Sequence, residues 1–169
     1  QGYRSCGAAD SYAYHLANAL VGNDPGAAVL ESTLRGPALR FEADTVFSLT
    51  GAESPAALDG VPVPYYAPLL AKAGSTLKIG VVASGLRSYL AVGGGIATPP
   101  VLGSRATDVK CGIGGLKGRK LVKGDTLPTG VCDTAALWRI ITAKHLDRPL
   151  RDKAVCRGTH PVRVQGAQT

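Results

Sequence analysis

The close spacing of glycine and proline limits most strongly what this chain can fold into. The 169 residues include 22 glycines and 11 prolines, and beyond the first 25 residues they interrupt the apolar segments at short intervals. Only short strands fit between such breaks. Many short strands joined by glycine and proline turns favour a β-barrel or a β-sandwich. The chain is therefore predicted to be mainly β, with one short N-terminal helix.

The residue pattern assigns the individual elements. Residues 10–21 are predicted to form an amphipathic helix that is capped by Asp10 or Ser11 and ended by Gly22. Strands are predicted at Ala27–Leu34, Ala38–Phe41, Thr45–Thr50, Thr76–Val82 and Ser88–Val92. The later segments are expected to be an irregular loop with a tight turn at Asp59-Gly60, a second helix, and a basic end with no clear pattern: Pro55–Pro68, Ala135–Ala143 and Lys144–Thr169.

The composition favours one globular domain of a cytoplasmic protein. Of the residues, 45% are hydrophobic and 18% charged, and no apolar run reaches the roughly 18 residues of a membrane span. The chain begins at Gln1 and not at methionine, so we expect a fragment or a processed chain. The cysteines are too widely spaced to predict a metal site and are expected to be reduced thiols: Cys6, Cys111, Cys132 and Cys156.

The net charge of +7 is distributed unevenly. Residues 1–60 carry a balance of −4, whereas residues 61–169 carry a balance of +11. The basic part would attract anions, and the alternative is an ordinary solvated surface. Nucleic-acid binding is not favoured, because the basic residues lack interleaved aromatic side chains.

The segment Gly85–Leu127 is rich in glycine and in basic residues. Its Gly93-Gly94-Gly95 run leads into Ile-Ala-Thr-Pro-Pro and not into a helix, so it is not a dinucleotide fingerprint, and it lacks the lysine of a P-loop. Two alternatives remain for it. The glycines form a turn that brings two backbones together, or they present backbone N–H groups to a ligand.

Further along the same segment, Gly103-Ser104-Arg105 combines a backbone N–H, a hydroxyl and a guanidinium. An arginine can hold a carboxylate or phosphate through two parallel hydrogen bonds, or it can pair with an acidic residue of the chain. The same alternatives apply to Arg119, for which a salt bridge or a solvated side chain is the stronger expectation.

Two acidic residues of the N-terminal half are candidates for a site. Asp10 is either a helix cap or a site residue. Glu31 lies in a predicted strand and either faces solvent or takes part in chemistry. Neither residue has a spacing that identifies a paired-carboxylate site.

Four blocks of the sequence resemble the allophanate hydrolase subunit 2 family, whose members are also known as the C subunit of 5-oxoprolinase, Kip-type regulators or the carboxyltransferase domain of urea amidolyase. The blocks are 16–31, 34–42, 49–52 and 85–127, and the resemblance is close to continuous from Gly2 to Leu127. The family's Gly-Ala-Met-Asp stands here as Gly7-Ala8-Ala9-Asp10. Members are roughly twice as long as this chain, so it resembles their first half, with a carboxyltransferase-type domain at 1–127 and a poorly matched tail at 128–169.

The resemblance implies a cyclophilin-like β-barrel and a subunit 1-type partner with which the family builds a shared active site. It implies one of two chemistries: ATP-dependent opening of 5-oxoproline to glutamate, or carboxyl transfer from biotin to urea or a similar small nucleophile. Both need donors that hold a developing oxyanion. The implied site is therefore catalytic Arg105, Ser104, Asp10 and Glu31, with substrate held by Gly93, Gly94, Gly95, Gly103 and Arg119.

A regulatory protein that binds a Kip-type kinase-inhibitor partner is the alternative function. If the missing half contributes to the active site, the isolated chain is expected to be inactive.

Overall fold

The computed structural model describes residues 7–144 and 161–166. Within them it has helices α1 (Ser11–Leu20) and α2 (Thr134–Lys144). The strands are β1 (Leu30–Thr33), β2 (Ala38–Phe41), β3 (Thr45–Gly51), β4 (Ala56–Leu58), β5 (Val61–Pro62), β6 (Pro68–Ala71), β7 (Thr76–Ile79), β8 (Arg87–Val92), β9 (Thr126–Leu127) and β10 (Val162–Gly166). They form two antiparallel sheets with the orders β1-β8-β3-β6 and β5-β4-β7-β2-β10-β9. This confirms the mainly β fold with a short N-terminal helix.

The main core lies between the two sheets. Alternate residues of β2, β3, β7 and β8 point inward, as the period of a strand requires. The rings of Phe41 and Phe47 meet there with centroids 5.2 Å apart. The other buried members of this core include Leu39, Leu49, Leu77, Leu90, Val162 and Val164.

The four-stranded sheet is also covered on its other face. Helices α1 and α2 pack against it, and Ala17, Leu137 and Ile141 are buried there. Because both faces are covered, six successive residues of β3, from Thr45 to Thr50, are buried. The hydroxyls of this strand still have partners. Ser48 Oγ donates to Ala17 O at 2.8 Å, and Thr50 Oγ1 donates to Ala13 O at 2.7 Å.

The six-stranded sheet turns its outer face to solvent. Arg40, Lys78 and Arg163 are exposed there, on neighbouring strands β2, β7 and β10, between residues whose side chains point into the core. Arg40 and Arg163 stand directly opposite each other in the antiparallel register. The structure therefore leaves a basic face on one sheet and covers the other sheet with helices.

Several predicted elements need correction. The strands predicted at Ala27–Leu34 and Thr76–Val82 are shorter than expected, because only Leu30–Thr33 and Thr76–Ile79 lie in the sheets. The Pro55–Pro68 loop contains β4 and β5, joined by the predicted turn at Asp59-Gly60, where both residues have positive φ. Strands β6, β9 and β10 had no counterpart in the sequence-based prediction.

Three further predictions have different outcomes. The helix predicted at Ala135–Ala143 is observed as α2. Cys6, Cys156 and most of Lys144–Thr169 lie outside the described residues. The boundary at residues 127–128 stays a prediction; α2 and β10, which follow that boundary, both pack into the cores.

Candidate functional site

Two of the predicted site residues, Asp10 and Glu31, meet around one buried tyrosine. Asp10 is the N-cap of α1, and its Oδ1 accepts a hydrogen bond from Ala13 N at 3.0 Å. Its own backbone N–H donates to the hydroxyl of Tyr89 at 2.8 Å. Tyr89 is 1% exposed and lies on β8 under the start of the helix. The cap alternative for Asp10 is therefore observed, and its carboxylate lies at an exposed position beside this tyrosine.

Glu31 joins the same network from strand β1. In the sheet register it stands directly opposite Tyr89. Its Oε1 accepts from Arg87 Nη1 at 2.8 Å, and its Oε2 accepts from Ala9 N at 3.1 Å. Arg87 Nη1 also donates to Thr33 Oγ1. Glu31 thus ties the segment before α1 to the sheet and does not simply face solvent.

The tyrosine hydroxyl is held in its neutral form. Burial raises the pKa of Tyr89 to about 12, and the neighbouring Glu31 carboxylate acts in the same direction. A neutral phenol can donate one hydrogen bond and accept others, which matches its contacts with Glu31 and Asp10. The network therefore positions the N-terminus of α1, and the Asp10 carboxylate supplies the negative charge that this helix end favours.

The triple-glycine run is a tight turn between packed segments. The backbone N–H groups of Gly93, Gly94 and Gly95 donate to Val46 O, Asn23 Oδ1 and Val92 O. A Cβ on Gly94 would lie 2.6 Å from Gly130 O. The turn therefore brings two backbones together, which was one of the two alternatives. In this conformation the amide hydrogens of the turn already have acceptors. A substrate-binding role for Gly93, Gly94 and Gly95 stays a prediction.

Gly103, Ser104 and Arg105 belong to a separate hairpin turn. Val101 and Ser104 exchange backbone hydrogen bonds, with positive φ at Leu102 and Gly103. The hydroxyl of Ser104 accepts from Ala106 N. Arg105 is exposed, and its Nε donates to Thr98 O at 2.8 Å. The roles of Gly103, Ser104 and Arg105 in substrate binding or catalysis stay a prediction.

Arg119 forms a salt bridge, which was the stronger of the two expectations for this residue. Its two terminal nitrogens bind the two carboxylate oxygens of Asp125, each at 2.8 Å. Hydrogen bonds from Arg119 and from Val122 N lower the pKa of Asp125 to about 2. The pair closes the loop that precedes β9. Separate backbone bonds join this loop to β10: Gly124 N donates to Val164 O, and Val164 N donates to Asp125 O.

Sequence reasoning did not identify Arg87 and Tyr89, which connect Asp10 with Glu31. The contacts join residues 79 and 56 positions apart in the chain, so they depend on sheet register that the sequence pattern does not give. One signal was available. Tyr89 is a large residue with a polar group in an otherwise apolar strand, and a buried tyrosine hydroxyl normally has a partner.

The structure adds a groove that the sequence did not indicate. It has a volume of about 770 Å³, is open to solvent, and lies over β2, β4 and β7, beside the point where Gly36 N bonds to Gly80 O. Polar groups line it from several elements: Arg35, Glu53, Ser54, Tyr65 and Lys78. The groove is a depression in the open face of the sheet and not an enclosed cavity.

The described ranges hold neither a metal centre nor a membrane span. Across residues 7–144 and 161–166, no three His, Cys, Asp or Glu side chains are grouped so that they would hold a metal ion. Neither helix in that part of the chain has the length and hydropathy needed to cross a membrane.

Known proteins resemble this chain over most of its length. It is 51% identical over 129 residues to the C subunit of 5-oxoprolinase from Escherichia coli, a match that covers 76% of the chain and 42% of that protein. It is 44% identical over 121 residues to the urea amidolyase of Saccharomyces cerevisiae, covering 72% of the chain and 7% of that protein. The chain therefore spans less than half the length of these relatives.

The fold agrees with these similarities. The crystal structure of the Kluyveromyces lactis urea amidolyase superimposes with a TM-score of 0.71 at 40% identity, over 72% of this chain and 7% of that one. The family described as the carboxyltransferase domain, subdomain A and B, matches residues 1–166. This chain belongs to that carboxyltransferase domain family.

Proposed function

We propose that this chain is part of a subunit of an enzyme complex that opens 5-oxoproline to glutamate at the expense of ATP. The similarity to the C subunit of the Escherichia coli 5-oxoprolinase supports this proposal most directly. The reaction adds water across the lactam C–N bond, and ATP hydrolysis drives it. The partner in this proposal is a subunit 1-type protein, and ATP acts at the level of the complex.

Two structural features support the proposal. The open groove on the six-stranded sheet carries the exposed Lys78, a cation suited to a small carboxylate. The Asp10–Glu31–Tyr89 network fixes the N-terminus of α1 and leaves the Asp10 carboxylate at an exposed position. A catalytic role for Asp10 or Glu31 belongs to this proposal.

Carboxyl transfer from biotin to urea is a second candidate, because the chain is also similar to urea amidolyases. The two candidates differ in what they consume and release. The first consumes 5-oxoproline and releases glutamate, whereas the second requires a biotin carrier and carboxylates a urea-like nucleophile.

A hybrid protein tests the proposal. This chain replaces the matching part of the Escherichia coli relative, and the hybrid is purified with the other subunits of that complex. We expect ATP-dependent release of glutamate from 5-oxoproline, measured by chromatography, with the unmodified complex as the positive control. A hybrid that assembles and releases no glutamate contradicts the proposal. Tight assembly without turnover favours a regulatory binding role, and biotin-dependent carboxylation of urea favours the second candidate.

A further inference from the structure

We infer that the open groove over β2, β4 and β7 binds a small carboxylate that also carries an amide. Lys78 holds the carboxylate, and the Ser54–Tyr65 hydroxyl pair binds the amide. The identity of the ligand as 5-oxoproline rests on the proposed function. The location of the site rests on the groove itself.

The cationic part of the groove is set by strand geometry. Lys78 lies between Leu77 and Ile79, both of which are buried in the core, so its side chain is on the outer face of the sheet. Arg35 lines the same groove from the segment before β2. Arg35 has a partner within the chain, so Lys78 is the cation that the lining offers to a carboxylate.

Another part of the lining carries a hydroxyl pair. Ser54 Oγ and Tyr65 Oη are 2.8 Å apart and form one hydrogen bond with each other. Each hydroxyl has one proton to donate, so one proton of the pair remains for an outside acceptor, and lone pairs remain for an outside donor. A lactam presents one carbonyl and one N–H, which is the complementary set.

The rest of the lining suits a compact ring. Pro55, Pro62 and Pro64 contribute stiff apolar side chains. The glycines in the lining carry no side chains that would fill the groove: Gly36, Gly80 and Gly166. Together these residues favour a short ring with a charged group at one end over a long flexible ligand.

The test is a titration of the ¹⁵N-labelled full chain with sodium 5-oxoproline, followed by amide chemical shifts. We expect saturable shifts at groove amides such as Ala57 and Gly80. Removing a charged hydrogen-bond partner by Lys78→Ala is expected to weaken binding about tenfold or more. Lys123→Ala removes an exposed lysine outside the groove lining and is expected to leave the affinity unchanged.

Two probes separate the chemical groups. Cyclopentanecarboxylate lacks the lactam, so its binding is expected to depend on Lys78 and to be insensitive to Tyr65→Phe. 2-Pyrrolidone lacks the carboxylate, so Lys78→Ala is expected to leave its binding unchanged. The amide spectrum of each variant checks that the chain is folded.

The inference is overturned if the wild-type chain shows no saturable shifts in the groove, or if Lys78→Ala binds 5-oxoproline as tightly as wild type. The proposed function fails separately. If the groove binds 5-oxoproline and the hybrid complex releases no glutamate, the function is wrong and the site stands. If the hybrid with Lys78→Ala retains wild-type kcat/KM, the site is wrong and the function stands.

Discussion

The two sheets of this protein differ in what covers their outer faces. Helices α1 and α2 cover the four-stranded sheet, and even the serine and threonine hydroxyls of β3 are buried and paired there. The six-stranded sheet leaves three basic residues and an open groove on its outer face. A sheet that is buried on both sides has no room for a ligand, whereas an open face does. We therefore expect stability to depend mainly on the first sheet and ligand binding on the second.

The largest expected effect comes from removing a contact between α2 and the four-stranded sheet. Leu137 is 3% exposed in the cluster that joins these elements. Leu137→Ala is expected to lower the free energy of unfolding by about 2–5 kcal/mol, because it removes buried surface and leaves a cavity. Urea unfolding measures it. Leu86→Ala is the matched control, since Leu86 is 50% exposed and should cost less than about 0.5 kcal/mol. If both variants lose the same free energy of unfolding, the covered sheet does not contribute more to stability than the exposed surface, and the prediction is wrong.

The hydroxyl of Tyr89 gives the next effect. Tyr89→Phe leaves the partly buried N–H of Asp10 without its acceptor, and such a loss costs about 1–3 kcal/mol. Tyr66→Phe is the matched control, because its hydroxyl bonds to Gly51 O at an exposed position. The measurement is the melting temperature of both variants at the same pH, and we expect the larger decrease for Tyr89→Phe. A larger loss in the Tyr66 variant would contradict the assigned network.

Acid should weaken the ion pair between Arg119 and Asp125, which closes the loop before β9. The pKa of Asp125 is about 2 in the folded chain, below its ordinary value of 3.8. A lowered pKa stabilises the fold above the unfolded value, and this contribution is lost as the pH falls from about 4 to about 2. Asp125→Asn is expected to be less stable at neutral pH and to show a flatter pH dependence in that window. Parallel stability curves for the two proteins would show that Asp125 does not cause the acid sensitivity.

The smallest effect is expected on the open face. Arg40 and Arg163 are directly opposite each other on neighbouring strands, and like charges in this position repel. Arg40→Glu is expected to raise the free energy of unfolding by about 0.2–1 kcal/mol at low salt. The gain should shrink as salt is added, and Arg40→Gln should give a smaller gain. A loss of stability in the Glu variant would show that Arg40 has a structural partner.

The sequence predicted local structure better than it predicted long-range contacts. The cap at Asp10 and strand β2 at Ala38–Phe41 follow from neighbouring residues, and both are observed. Strand β10 was missed, although Val162-Arg163-Val164 alternates as a half-buried strand does. Its place between β2 and β9 depends on a partner more than 100 positions earlier in the chain. Strands β4 and β5 were also missed, because they lie in a proline-rich segment and prolines disfavour strands unless they lie at the edge of a sheet.

The candidate site shows the same limit. Asp10 and Glu31 were selected as single residues, and the structure shows that Tyr89 connects them through sheet register. Gly94 and Gly95 have the positive φ that glycine permits, and Gly94 packs against the backbone of Gly130, a contact that spacing alone did not predict. The groove joins the segments before β2 and after β5, so no local motif marks it.

One measurement tests the division of roles between the two sheets most sharply. It compares glutamate release by the hybrid complex carrying Lys78→Ala with glutamate release by the same complex carrying Tyr89→Phe. If the groove on the open sheet binds the substrate, Lys78→Ala lowers kcat/KM for 5-oxoproline about tenfold or more at unchanged stability. Tyr89→Phe lowers the melting temperature, and it also lowers kcat/KM if Asp10 or Glu31 is catalytic as proposed. A Lys78→Ala complex with unchanged kcat/KM would contradict this division.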